Sequence, residues 1–150
     1  MSRRLAMTWM VLVVALALAL PAETLAINRY RAYAFGNYCT LAGGANGYGE
    51  AGLSVQAKEV GLSGVNHFKT ISKVQQGPSS TGPWQTYATW PAYWSTPFPN
   101  DSTSNHIEIY REFAFTSDAQ TKYHRIVIKI QYWSYALGLR AIRTVKGKAC

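Results

Sequence analysis

Between residues 125 and 132, Ile126, Ile128, Ile130 and Tyr132 alternate with Arg125, Val127, Lys129 and Gln131, the period-two pattern of a strand with one buried face. Ile107, Ile109, Phe113 and Phe115 repeat it against Glu108, Tyr110 and Glu112. Residues 117–120 between the two runs are turn-like, so a hairpin is expected, with Ile107 facing Ile130 and Ile109 facing Ile128. That register sets Glu108 opposite Lys129 and Glu112 opposite Arg125, opposite charges directly across the ladder. A slip of one residue would turn an aliphatic row outwards.

Five further strands are expected. Residues 30–39 are rich in aromatics, and within 52–58 Leu53, Val55 and Ala57 alternate with Ser54, Gln56 and Lys58. In 65–74 the spacing of Phe68, Ile71 and Val74 also suits a helix; the run is read as a strand with a bulge. Residues 84–90, bounded by Gly82-Pro83 and Pro91, and 139–146 complete the set. Linkers rich in Gly, Pro, Ser or Asn fall at 41–49, 77–83 and 91–104.

About seven short strands, with no long amphipathic helix and no internal repeat, predict an all-β fold. The expected architecture is a two-sheet antiparallel β-sandwich that resembles the immunoglobulin and fibronectin-III type. The resemblance is to a fold only: the immunoglobulin spacing of two core cysteines around a central tryptophan is missing, and shared architecture transfers no function. In such a sandwich the first strand is expected to run parallel to the last. Cys39 and Cys150 each end a strand, so they would meet.

The amino-terminal segment changes the setting. Arg3 and Arg4 precede an apolar stretch from Leu5 to Leu20, Pro21 breaks it, and Thr24-Leu25-Ala26 offers a cleavage site. Residues 1–26 read as a secretory signal peptide and 27–150 as the mature domain, since a stretch of sixteen residues, apolar but for Thr8, falls short of the roughly 20 that span a bilayer. The expected location is secreted or extracellular, with the cell surface or periplasm included. In an oxidising compartment an even pair of cysteines, Cys39 and Cys150, is most simply one disulfide; a free thiol or a link to another chain is the alternative. Neither belongs to a CxxC pair.

Of 150 residues, 48% are hydrophobic and 15% charged, with a net charge of +8, which excludes a multidomain enzyme and a disordered chain. Beyond residue 26 the chain keeps 13 basic and 6 acidic residues, and after Asp118 no acid occurs while Lys122, Arg125, Lys129, Arg140, Arg143, Lys146 and Lys148 follow. Such a surplus attracts polyanions; its plainer meaning is a solvated basic face. Arg140, Arg143, Lys146 and Lys148 are the candidate polyanion-binding residues.

Catalytic spacing is poor. Gly47-Tyr48-Gly49-Glu50-Ala51-Gly52 matches GxGxxG by letters, but a strand and not a helix follows, and no acid occurs between Glu59 and Asp101. Glu108 and Glu112, four residues apart on one strand, would lie nearly 14 Å apart, too far for the paired carboxylates of a glycosidase. His67, His106 and His124 share no zinc-site spacing, and there is no GxSxG elbow. No catalytic residue, metal or cofactor is assigned.

Aromatic density is the remaining signal. Trp84, Tyr87, Trp90, Tyr93, Trp94 and Phe98 crowd a segment that also holds four prolines. Trp84 and Trp90 are expected to fill the core from one strand face. Trp90, Tyr93 and Trp94 are the candidate ligand-binding residues, since exposed rings stack on the apolar faces of sugars or anchor a protein partner. Asn100-Asp101-Ser102 is a glycosylation sequon. The sequence thus points to a secreted, non-catalytic binding or structural module, with an extracellular glycan, an anionic polymer or a surface protein as its partner. A small secreted enzyme is the alternative of another class.

Overall fold

The structure, a computed structural model, describes residues 29–41, 49–60, 64–97, 104–115 and 122–150. The signal peptide expected at 1–26, the sequon at Asn100 and the turn expected at 117–120 lie outside them. The described elements are eight strands: β1 Tyr30–Leu41, β2 Gly49–Val60, β3 His67–Gly77, β4 Gln85–Thr89, β5 Tyr93–Trp94, β6 Ser104–Phe115, β7 Tyr123–Ser134 and β8 Gly138–Lys146. They form two antiparallel sheets, one ordered β1-β2-β6, the other β4-β3-β7-β8 with β5 also on β3. The chain is all-β and two-layered, as its alternation requires.

Each sheet turns one row inwards. Leu53, Val55 and Ala57 of β2, with Ile109 of β6, are buried against Phe68 of β3 and Ile126, Ile128, Ile130 and Tyr132 of β7. Tyr132 packs edge-on against both Tyr30 and Phe68, and its hydroxyl donates 2.6 Å to the Arg31 carbonyl. This bond ties the two layers and satisfies a phenol that burial would otherwise penalise.

The expected hairpin does not form. Residues 107–115 pair with β2, setting Ile109 beside Val55 and Ile107 beside Ala57; 123–134 pair with β3 and β8, setting Ile128 between Ser72 and Val145. Both aliphatic rows do face the core, but from opposite layers. In separate sheets the two rows bury each other across the core. Glu108 consequently sits across from Gln56, and Glu112 across from Gly52, not against Lys129 and Arg125.

The segment 91–104, expected to be linker, contains β5, which makes eight strands. Pro91 has no N–H to donate, so the edge strand beside β3 breaks there and resumes two residues later, pairing Tyr93 with Thr70 and Trp94 with Lys69. The Phe68 amide donates 2.9 Å to Ser95 Oγ, and the Ser95 amide donates 2.9 Å to the Phe68 carbonyl. A side chain here completes the ladder.

Cys39 and Cys150 form a disulfide, with Cα atoms 5.8 Å apart. The first and last strands lie in different sheets yet follow one another in parallel. Arg143 Nε donates to the Tyr30 carbonyl, the Lys148 amide to Asn37 Oδ1, and the bridge lies just beyond. The tail also closes onto β7, with amide–carbonyl pairs between His124 and Cys150 in both directions.

Candidate functional site

The alternation that buries Phe68, Thr70, Ser72 and Val74 sends Lys69, Ile71, Lys73 and Gln75 to the opposite, solvent-facing side of β3. The same alternation turns Arg125, Lys129, Gln131 and Trp133 outwards on β7, where Val127 shares that face but is buried, and Ile142, Thr144 and Lys146 on β8. Cross-strand register then arranges the cations. Lys73, Val127 and Lys146 share one row; Ile71, Lys129 and Thr144 share the next; Lys69, Gln131 and Ile142 share the third; Gln75 and Arg125 occupy the row below Lys73. With strands about 4.8 Å apart and same-face residues about 6.8 Å apart, diagonal neighbours such as Lys69, Lys129 and Lys73 are spaced by about 8 Å. They are near enough to act on one polyanion and too far apart to repel each other strongly in water.

Charge is divided by layer. The described segments 64–97 and 122–150, which hold the five-stranded sheet, contain Lys69, Lys73, Lys122, Arg125, Lys129, Arg140, Arg143, Lys146 and Lys148 and no Asp or Glu. The three-stranded sheet balances Glu50, Glu59, Glu108 and Glu112 against Arg29, Arg31, Lys58 and Arg111. The net positive charge of the described residues therefore belongs to one layer.

Sequence reasoning named four of these cations, and the structure divides them. Lys146 joins the outward lattice; Arg140 and Lys148 are exposed beside it; Arg143 turns inwards, tied to the Tyr30 and Ile142 carbonyls. Lys69, Lys73, Arg125 and Lys129 went unnamed as site residues. The signal that could have found them is the outward phase of the two strands with the clearest alternation.

Aromatics border the lattice at both ends. At one end His67, Trp94, Trp133 and Tyr135 cluster, with His67 centroids 5.1 Å from Trp94 and 4.7 Å from Tyr135, and Trp94 5.6 Å from Trp133. Lys69 Nζ lies 5.0 Å from the Trp94 ring. At the other end the Arg125 guanidinium lies 4.0 Å from the Trp84 ring. Trp84 thus stands outside with a cation on it and does not fill the core, while Trp90 does pack against the core beside Phe113. Tyr93 and Trp94 are both exposed, at the sheet edge where β5 holds them. Burial lowers His67 from the ordinary imidazole range, which favours the neutral ring inside the aromatic cluster.

The opposite outer face is of another kind. Gln56 links the Tyr33 hydroxyl to Glu108, and the Tyr38 hydroxyl donates 2.8 Å to Glu112 beside Tyr110; those partners raise the Tyr38 pKa. Here Glu108 and Glu112 find neutral partners. The three histidines are not brought together: His67 lies on the outer face of the five-stranded sheet, His106 on exposed β6, and His124 in the interior. Glu59 is buried, accepting from Arg29 Nε at 2.8 Å and from the Gly64 and Val65 amides, so its work is to shape the start of the path into β3. Open hollows of about 320 Å³, between Gly77, Pro83 and Lys122, and about 200 Å³, beside Tyr93, Glu108 and Arg111, lie on the described surface.

No family model matches the chain, and neither does any curated protein. Among solved structures it is similar to part of a GH3 β-glucosidase from Bifidobacterium adolescentis, 12% identical over 80% of this chain and 17% of the other, at a TM-score of 0.30. It is also similar to part of a β-glucosidase from Kluyveromyces marxianus, 7% identical over 81% of this chain and 14% of the other, at 0.26. The chain spans less than a fifth of those proteins, and likeness of this degree carries no argument about its chemistry.

Proposed function

We propose that the chain is a secreted, non-catalytic β-sandwich of fibronectin-III-like type that binds anionic polymers through the outer face of β3, β7 and β8. The fold assignment draws on strand order: β1, β2 and β6 share one sheet while β4 joins β3, β7 and β8. In an immunoglobulin constant domain the fourth strand would sit with the first, second and fifth. Secretion is supported by the apolar leader and the disulfide.

The observation that carries the binding reading is the acid-free sheet. Lys69, Lys73, Arg125, Lys129 and Lys146 form a lattice across three strands of one outer face, which suits an extended chain of charges better than a small molecule. The test is retention on immobilised heparin at two salt concentrations, with the triple variant K69Q/K73Q/K129Q. Affinity of the parent protein should fall steeply as salt rises. The variant should bind more weakly, with a log–log salt slope shallower by up to about 3, since each neutralised contact contributes about 0.9. Parent binding that ignores salt, or a variant indistinguishable from it, would refute the reading.

Trp94 supports a second reading, stacking on a neutral sugar ring, because it is half exposed at a sheet edge with Tyr93 next to it. W94A would then weaken binding of an uncharged oligosaccharide several-fold with the fold intact by circular dichroism.

A further inference from the structure

The end of this face that bears the β7–β8 turn is apolar as well as basic. Among the described residues the exposed large aliphatics are Val60, Leu137, Leu139 and Ile142, so three of the four fall within six positions of one hairpin. Leu137 is 61% exposed, Leu139 and Ile142 41% each, and Tyr135, at the start of the turn, 70%. The turn is held and not loose: the Tyr135 amide donates 2.8 Å to the buried Asn66 Oδ1, whose own amide donates to the Trp133 carbonyl. Gly138 takes φ of +71° with open space around it, which lets the chain reverse tightly. Behind the tip stand the rings of Trp94 and Trp133, and behind them the lysine lattice.

Resting on the polyanion reading above, we infer that the physiological polyanion is an anionic lipid bilayer, with the β7–β8 tip seated in its interfacial layer. The order of chemistry along the face is the order through a membrane surface. Leu137 and Tyr135 come first at the tip, Leu139 and Trp133 share the next level at headgroup depth, and Lys69 beside Trp94 and then Lys129 follow, facing the anionic surface. Charge complementarity is complete on this layer, which has no described acid to repel such lipids. A protein partner fits less well, because interface cores are depleted in lysine, whereas Arg140 lies beside this tip and Lys69 one same-face row behind Trp133. Arg140, exposed between Leu139 and Ala141, can extend its guanidinium to a phosphate while its stem stays apolar.

The test compares the secreted protein with L137S/L139S and K69Q/K73Q/K129Q. Sedimentation is run with vesicles of phosphatidylcholine alone and of phosphatidylcholine with phosphatidylserine, and heparin retention is measured in parallel. The parent protein should sediment only with the anionic vesicles, and its tryptophan emission should shift to the blue. L137S/L139S should lose about tenfold or more in vesicle affinity while eluting from heparin as the parent does. Each lysine removed should cost about fivefold on vesicles. Heparin retention without vesicle binding would overturn the lipid assignment and leave the polyanion reading standing, and failure on both supports would overturn both. Vesicle binding unchanged in L137S/L139S, or a tip-dependent dimer that ignores vesicles, would remove the seated tip.

Discussion

His124 illustrates what a single position can decide. It belongs to the inward phase of β7, stacked on Phe115 at 4.5 Å and edge-on to Tyr87, with Nε2 3.2 Å from Gln76 Nε2 and Nδ1 buried. Burial lowers its pKa, nearby Lys122 adding to the effect while the Lys122 carbonyl opposes it. A histidine held below its ordinary value leaves stability unaffected above about pH 6.5 and takes it away as pH falls below that, because the unfolded chain binds the proton more readily. The thermal midpoint should therefore drop between pH 7 and pH 5, and H124F should flatten that drop. His67 shifts in the same direction and accounts for the dependence that remains. Gly49 matters through space: a Cβ there would lie 2.2 Å from the buried Phe115 ring and 3.0 Å from the Thr40 carbonyl. G49A should destabilise by about 1–3 kcal/mol in urea unfolding, the usual cost of overpacking. The inward position of His124 was legible from the alternation; its stacking partners, which come from β6 and β4, were not.

At the scale of elements, where strands lie was largely readable and what they pair with was not. Alternation located β2, β6, β7 and β8 to within a few residues, because a half-buried strand must alternate whatever its neighbour is. The strand expected at 65–74 is present, but against β7 it runs without the expected bulge, so Phe68 and Val74 are buried while Ile71 faces out. Pairing depends on which rows cover which, and the charge match of Glu108 with Lys129 was a coincidence of two outward phases. Ile128 tests the layered arrangement, since it is fully buried where the sheets meet. I128A should cost about 2–5 kcal/mol by chemical denaturation, against a few tenths for exposed T144A, its neighbour across β8 by one row.

Over the whole molecule the disulfide and the division of charge are the features with the widest reach. Cys39 and Cys150 are 111 residues apart, so the bridge removes much of the freedom of the unfolded chain, and C39S/C150S should lower stability by about 2–4 kcal/mol, read as a reduced urea midpoint. Heparin or anionic vesicles should leave that midpoint higher for the parent protein, since a ligand of the folded face stabilises it by mass action. The sequence by itself determined the all-β character, the two cysteines free to meet, the basic surplus and the inward and outward members of β2, β6 and β7, because these follow from residue chemistry and a two-residue period. Only the tertiary structure decided that β6 and β7 part into opposite sheets, that every described acid lies on one layer, and that Lys69, Lys73 and Lys129 join Lys146 on a face ending in Leu137 and Leu139. Those outcomes depend on contacts between residues far apart in the chain, and burial energy across two layers outweighs any preference between neighbours in sequence.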